Sequence, residues 1–296
     1  MSDITVINDS EQSSLVTNGL AKNGELYLKA AGSTDAGAIV VYDSGVWRTF
    51  ANEASAGLSN TYSVAFDGTD DVVTTATAYA TTWSASAWIK PNFTSGTNGT
   101  IFSDASTRRL YIYYDGTNYT VYLRQGSSPF NIITSSGNAI HDTWTHIAVT
   151  RDSSTSTAVL YINGSQVGTV TDGGDTANKA KPTNIGCINT SGLFPFNGKI
   201  DEFGWWDGTA LSAPQIANIS GGTNGIPGDL NTFNPDGWWR MGDGDDVGNG
   251  SGNPDGTVVG GNPQVYNMAT DSSGNRITGN DGTLVNGPTF STDVPS

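Results

Sequence analysis

Residues 144–170 read Trp144-Thr-His-Ile-Ala-Val-Thr-Arg-Asp, then a polar Ser153–Ser156 stretch, then Ala158-Val-Leu-Tyr-Ile-Asn-Gly-Ser-Gln-Val-Gly-Thr-Val170 after Thr157. This is the pattern of three consecutive strands. Trp144–Arg151 is rich in β-branched and aromatic residues, which suit a pleated, half-buried surface. Ala158–Ile162 is a second apolar run. Asn163-Gly164 supplies two central residues that tolerate positive φ, the signal of a type I′ hairpin, and Ser165–Val170 returns. Turn chemistry this strong between apolar runs fixes strand register.

The same grammar extends outward. Upstream, Tyr62-Ser-Val-Ala-Phe reads as a strand, and Thr82–Lys90 as another with faces Ala85/Ala87/Ile89 and Ser84/Ser86/Trp88, ended by Pro91. Arg109-Leu-Tyr-Ile-Tyr-Tyr, the turn Asp115-Gly116 and Tyr119-Thr-Val-Tyr-Leu-Arg form a further hairpin. Ile185–Ile188 and Gly198–Trp206 add later strands. Leu211–Ile219 is the one short helix expected, capped by Ser212 and with Pro214 in its first turn.

Residues 1–58 differ. Met1–Lys22 is polar and reads as an extended arm. Short strands are expected at Glu25–Ala30, Ala38–Tyr42 and Val46–Phe50, too little to bury a large core. A module this small is expected to dock on another protein or to trimerise. Asn52–Asn60 reads as a linker.

Composition narrows the function. The chain has 296 residues and 38 glycines, and only 14% of it is charged. Many short β-rich runs between Gly, Asn and Asp turns indicate an all-β sandwich. The net charge of −15, with only 13 Lys and Arg, argues against nucleic acid, whose binders must neutralise phosphates with clustered cations. The single cysteine, Cys187, lies in an apolar run and reads as a small core residue. Met1-Ser-Asp-Ile-Thr-Val lacks the basic and apolar regions of an export signal, and no apolar run approaches membrane-spanning length.

Three stretches together carry a resemblance: the Trp144–Val170 hairpins, Phe66-Asp-Gly-Thr-Asp-Asp-Val-Val, and Phe196-Asn-Gly-Lys-Ile-Asp-Glu-Phe. Their order and spacing from Tyr62 to about Gly222 resemble the laminin-G-like, concanavalin-A-like jelly roll. Gly237-Trp-Trp-Arg-Met-Gly-Asp-Gly-Asp and Gly279-Asn-Asp-Gly-Thr-Leu-Val-Asn-Gly-Pro-Thr-Phe are similar to segments that normally precede the Phe-Asp-Gly strand. Here they follow it. The domain over 59–296 is therefore expected to be circularly permuted, with 223–296 returning to complete the sandwich beside Tyr62–Phe66. Residues 1–58 loosely resemble N-terminal modules of phage structural proteins.

Catalytic machinery is scarce, and no catalytic residue is assigned. His146 sits inside a strand, and no nucleophile elbow, zinc spacing or phosphate loop is present. Glycoside hydrolases of this fold need two facing carboxylates. The nearest candidates, Asp201 and Glu202, are adjacent, and adjacent strand residues are expected on opposite faces. The resemblance implies a structural Ca²⁺, an ion that takes about six to eight oxygens. Its implied ligands are Asp201 and Asp271, helped by Asn275, Asn280 and Asp281. A second acidic loop, Asp243–Gly250, lacks the final glutamate of an EF-hand. Trp205-Trp206, Trp238-Trp239 and Tyr113-Tyr114 are adjacent aromatic pairs. In a strand one member of each faces in, which opens the other to sugar stacking, although core packing or subunit contact is the expected role of each individual residue.

The expectation is an antiparallel β-sandwich with a small β-rich N-terminal module, acting without enzymatic activity. The resemblance implies a bacteriophage virion structural protein: a capsid fibre, decoration protein or tail appendage. Its partners would be other virion proteins, bound through 1–58, and host surface glycans, in a homotrimer with neither nucleic acid nor membrane. A secreted bacterial carbohydrate-binding module and a glycoside hydrolase or lyase are the alternatives.

Overall fold

In the computed structural model the chain divides into two compact units, Met1–Leu58 and Ser59–Ser296. The structure describes the strands at 5–7, 26–29, 39–43 and 46–50 of the first unit. In the second it describes residues 60–106, 109–125, 128–130, 140–171, 180–221, 227–242, 264–265, 267–270 and 281–295.

The first unit is a four-stranded sheet in the order β1 (Thr5–Ile7), β2 (Leu26–Lys29), β3 (Ile39–Asp43), β4 (Val46–Phe50). Part of the polar arm is thus a strand, parallel to β2. β3 and β4 pair antiparallel across the short Asp43–Val46 connection.

The second unit is a sandwich of two antiparallel sheets, the jelly-roll architecture that the alternating pattern anticipates. Its strands are β5 (Ser63–Asp67), β6 (Val72–Thr74), β7 (Trp83–Pro91), β8 (Thr97–Ser103), β9 (Arg109–Tyr114), β10 (Tyr119–Gln125), β11 (Ser128–Phe130) and β12 (Thr145–Asp152). There follow β13 (Thr157–Ile162), β14 (Ser165–Thr171), β15 (Asn184–Ile185), β16 (Asn197–Asp207), β17 (Gly237–Trp239), β18 (Gln264–Val265), β19 (Gly282–Val285) and β20 (Thr289–Ser291). The first sheet runs β14-β13-β12-β7-β16-β5-β20, with β17 also on β16; the second runs β11-β10-β9-β8-β15-β6-β19-β18. Strands from beyond residue 222 therefore enter both sheets: β20 pairs β5, β17 pairs β16 and β19 pairs β6.

The Asn163-Gly164 turn has φ of 46° and 75°, as a type I′ hairpin requires. A Cβ at Gly164 would lie 2.5 Å from Ser220 Oγ and 3.0 Å from Ala217 Cα. The close approach seats helix α1 (Ala213–Ile219) against that turn. The helix starts at Ser212, whose backbone N–H donates to Gln215 Oε1 at 2.9 Å.

Between the sheets lies one apolar core. Ala85, Ala87 and Ile89 face into it with Trp83, Phe102, Phe203 and Trp205. Trp83 stacks on Trp205 at 5.4 Å between centroids, and Phe102 meets both edge-on. Cys187 is buried and free, as a core residue.

Candidate functional site

The outer face of the first sheet holds the carboxylates that the sequence singles out. β16 shifts register between Asp201 and Gly204, and Glu202 takes φ of 48°. Such a bulge inserts an extra residue and re-aims side chains. Asp201 lies opposite Trp88, on the face away from the core, and Glu202 reaches Arg240 and Trp238 on that same face. The expectation that adjacent Asp201 and Glu202 point apart is thereby corrected: the bulge cancels the alternation.

Both carboxylates are nevertheless sealed, at 0% and 2% exposure. Glu202 accepts from Arg240 Nε at 3.0 Å and from Trp238 Nε1. Asp201 accepts from Asn60 Nδ2 at 3.0 Å and from the Glu202 N–H at 2.8 Å. Beside them Trp88 meets His146 edge-on at 5.5 Å. Burial holds the His146 imidazole neutral, its pKa pushed down to about 3. One row along, Asp293 from the chain's end accepts from Lys199 Nζ at 2.7 Å, Lys90 Nζ at 2.8 Å and Trp144 Nε1 at 2.9 Å. Burial alone would raise the Asp293 pKa, but these donors outweigh it and hold the carboxyl well below the usual range. Trp205, Trp206, Trp238 and Trp239 are all buried, so neither tryptophan pair leaves a free member. The segment after β16 covers this face: Leu211 N–H donates to Ser84 Oγ, and Trp206 Nε1 donates to the Phe233 carbonyl.

The second sheet differs. In Tyr113-Tyr114 the alternation survives: Tyr114 is buried, while Tyr113 stands half-exposed on the outer face. Near one end of this sheet, the β5–β6 turn, residues 93–98 and the approach to β16 enclose a cleft of about 300 Å³. Phe93, Leu193, Phe194 and Pro195 give it apolar walls; Asn98 and Asn197 supply amides. Phe93 is held by Phe196, at 5.2 Å and nearly perpendicular, and by Tyr119 at 5.9 Å. Leu193 is 48% exposed, and Phe194 has φ of 53°, a conformation that non-glycine residues adopt at a cost. Gly68 closes the cleft at φ +77°, where a Cβ would lie 2.8 Å from Asn197 Cβ.

Against Gly68 stands an acidic turn. Carboxylate oxygens of Asp67, Asp70 and Asp71 lie within 4.8 Å of one another. Asp67 Oδ1 accepts from Thr69 N–H at 2.7 Å, and Asp71 Oδ2 from Asp67 N–H at 2.9 Å. Burial raises the Asp71 pKa, and the neighbouring charges of Asp67 and Asp70 push the same way against its backbone hydrogen bond. Three clustered carboxylates of this kind can hold a hard divalent cation.

The expected metal ligands fall elsewhere. Asp201 lies in β16 of the first sheet; Asp281 directly precedes β19 of the second and accepts from Asn267 N–H at 2.9 Å. Neither joins a group of three acidic side chains among the described residues. Asp271, Asn275, Asn280 and the Asp243–Gly250 loop lie outside the described residues. The acidic turn was written in Phe66-Asp-Gly-Thr-Asp-Asp, three aspartates in five positions before a buried strand. The cleft had no such signal, because its walls come from three separate segments.

Comparison with protein families finds a match over residues 66–217 to the concanavalin A-like lectin/glucanases superfamily. No curated protein matches. Among solved structures, a candidate carbohydrate-binding protein from Bacteroides ovatus superposes with a TM-score of 0.56 at 18% identity, over 93% of this chain and 71% of that one. A heptameric SAP-like pentraxin from Limulus polyphemus gives 0.43 at 19% identity, over 54% and 82%. The CBM40 module of a Ruminococcus gnavus IT-sialidase, bound to α2,3-sialyllactose, gives 0.37 at 14% identity, over 46% and 81%.

Proposed function

The chain belongs to the concanavalin A-like lectin/glucanases superfamily, and from that premise we propose that it is a non-enzymatic glycan-binding protein. The observation that carries this reading is the cleft at Phe93–Asn98 and Leu193–Asn197. It pairs apolar and aromatic walls with amide side chains. Sugars offer C–H faces to the first and hydroxyls to the second. The sealing of Asp201 and Glu202 supports binding over hydrolysis, since a glycoside must reach both carboxylates of a catalytic pair.

In this reading the protein is a virion structural component, a capsid fibre, decoration protein or tail appendage, that holds its sandwich out towards host surface glycans. The unit Met1–Leu58 attaches it to other virion proteins and gathers three copies. The division of the chain there and that unit's sheet of three- to five-residue strands support a module that needs a partner surface. A structural Ca²⁺, which the family likeness implies, is part of the proposal.

The test is a titration of the full chain against a glycan library, read for binding and for turnover in parallel. Saturable binding without product is the expected result. Turnover that disappears in Asp201→Asn or Glu202→Gln would replace this reading with a hydrolase or lyase.

A further inference from the structure

Arg109 opens β9 on the outer side of the second sheet and is only 7% exposed. Its guanidinium lies close to two rings, with Cζ 4.9 Å from the Tyr111 centroid and 4.7 Å from that of Phe194. Ring faces favour a cation, but they do not satisfy its N–H groups. Arg109 Nε is buried without a hydrogen-bond partner, and no carboxylate pairs with the side chain among the described residues. Its opposite number in the register is another cation, Arg124. Burial first, and then Arg124, lowers the Arg109 pKa. Thr100 Oγ1, across the strand from Tyr111, is likewise buried and unpartnered.

A buried guanidinium without a counter-charge is costly, and acidic residues are plentiful in this chain, 28 against 13 basic ones. Among the described residues, no member of that majority neutralises Arg109. Both rings lie within cation–π reach of the guanidinium, and neither satisfies its N–H groups, which suit a planar, bidentate acceptor. Phe194 joins this feature to the cleft: it flanks Arg109 and also forms a cleft wall, and its carbonyl accepts from Thr100 N–H at 3.1 Å. An overall charge of −15 repels anionic sugars, so their recognition requires a local, uncompensated cation.

We propose that the cleft selects acidic glycans, those carrying uronic- or sialic-acid carboxylates, and that Arg109 receives the carboxylate while the sugar ring lies against Phe194. This rests on the glycan-binding reading and narrows its ligand class. The test uses the full-length protein and a panel of immobilised uronic- and sialic-acid glycans, each beside its carboxyl-reduced neutral counterpart and a sulfated analogue. At least one carboxylated glycan is expected to bind at least tenfold more tightly than its reduced form. Arg109→Gln should abolish that preference, and Arg109→Lys should restore part of it. Equal binding of carboxylated and reduced glycans by the unaltered protein overturns the inference and leaves glycan binding intact, whether or not the variants fold. A preference confined to sulfated glycans overturns the carboxylate assignment. Binding to none of the panel, neutral members included, overturns the glycan-binding reading and this inference with it.

Discussion

The two outer faces of the sandwich obey the same strand alternation and end in opposite states. On the first sheet, Trp206 and Trp238 point away from the core, yet both are buried, together with Trp88, His146, Asp201 and Glu202. On the second sheet, Tyr111, Tyr113 and Tyr122 also point away from the core and remain half-exposed. The difference lies in what comes after β16. Helix α1, the turn at Leu230–Phe233 and the Asp293 segment give the first sheet a second layer, and β17 extends the sheet itself alongside β16. Among the described residues, no such layer stands between the Tyr113 face and solvent. Aromatic residues are thus structure on one face and available surface on the other, and chemistry follows the covering chain rather than residue type.

Substituting across the two faces should separate them most strongly. Trp206→Ala removes a fully buried side chain and its hydrogen bond to Phe233, and should cost up to about 5 kcal/mol of stability. Tyr113→Ala on the open face should cost about 0.5 kcal/mol or less. Urea unfolding of the two variants compares them directly, and similar losses would erase the distinction.

Acid should attack the covered face next. His146 has a folded pKa of about 3 against an ordinary value of 6.5. Between those values the unfolded chain binds a proton that the folded chain refuses. Stability is therefore full above pH 6.5 and falls as pH drops, by about 4 kcal/mol once pH 3 is reached. His146 Nδ1 has no partner, so His146→Leu should fold and flatten this slope. A slope unchanged in that variant would move the acid sensitivity elsewhere.

Much of this architecture was legible in the residues themselves. The Asn163-Gly164 hairpin, the Tyr119 strand and the Pro214 helix start were set by local turn and cap chemistry, which acts over a few positions. The bulge at Glu202 was not legible, because the Ile200-Asp-Glu-Phe pattern reads equally well as an unbroken strand. Only the pairing with β7 shows the extra residue. Burial of the tryptophans was the expected role, but what covers the outward members Trp206 and Trp238 was not legible, for a related reason: alternation predicts a side chain's direction, whereas coverage depends on segments far away in sequence. The cleft is non-local in the same way, joining Gly68, Phe93 and Phe194. Arg109 gave no hint of its surroundings, since a missing counter-charge is a property of space and not of sequence.

Smaller effects sharpen the picture. Calcium should raise the melting temperature, and EDTA should reverse the rise, if the ion binds only the folded state. Asp67→Asn should diminish that response if the acidic turn holds the ion, and an unchanged melt in EDTA would argue for a metal-free turn. Asp293→Asn weakens the contacts to Lys90, Lys199 and Trp144 at a partly exposed site where screening is strong, so about 1 kcal/mol is expected from the same melts. A loss of several kcal/mol there would mean that the chain's end secures the covered layer far more firmly than its exposure implies.

The division of labour between the faces is tested most directly by the glycan affinity of Phe194→Ala beside that of the unaltered protein, with melting followed in the same samples. Binding weakened at least tenfold at a nearly unchanged melting temperature is the predicted result. Unaltered affinity in a folded Phe194→Ala protein would contradict it and place recognition away from the second sheet's cleft.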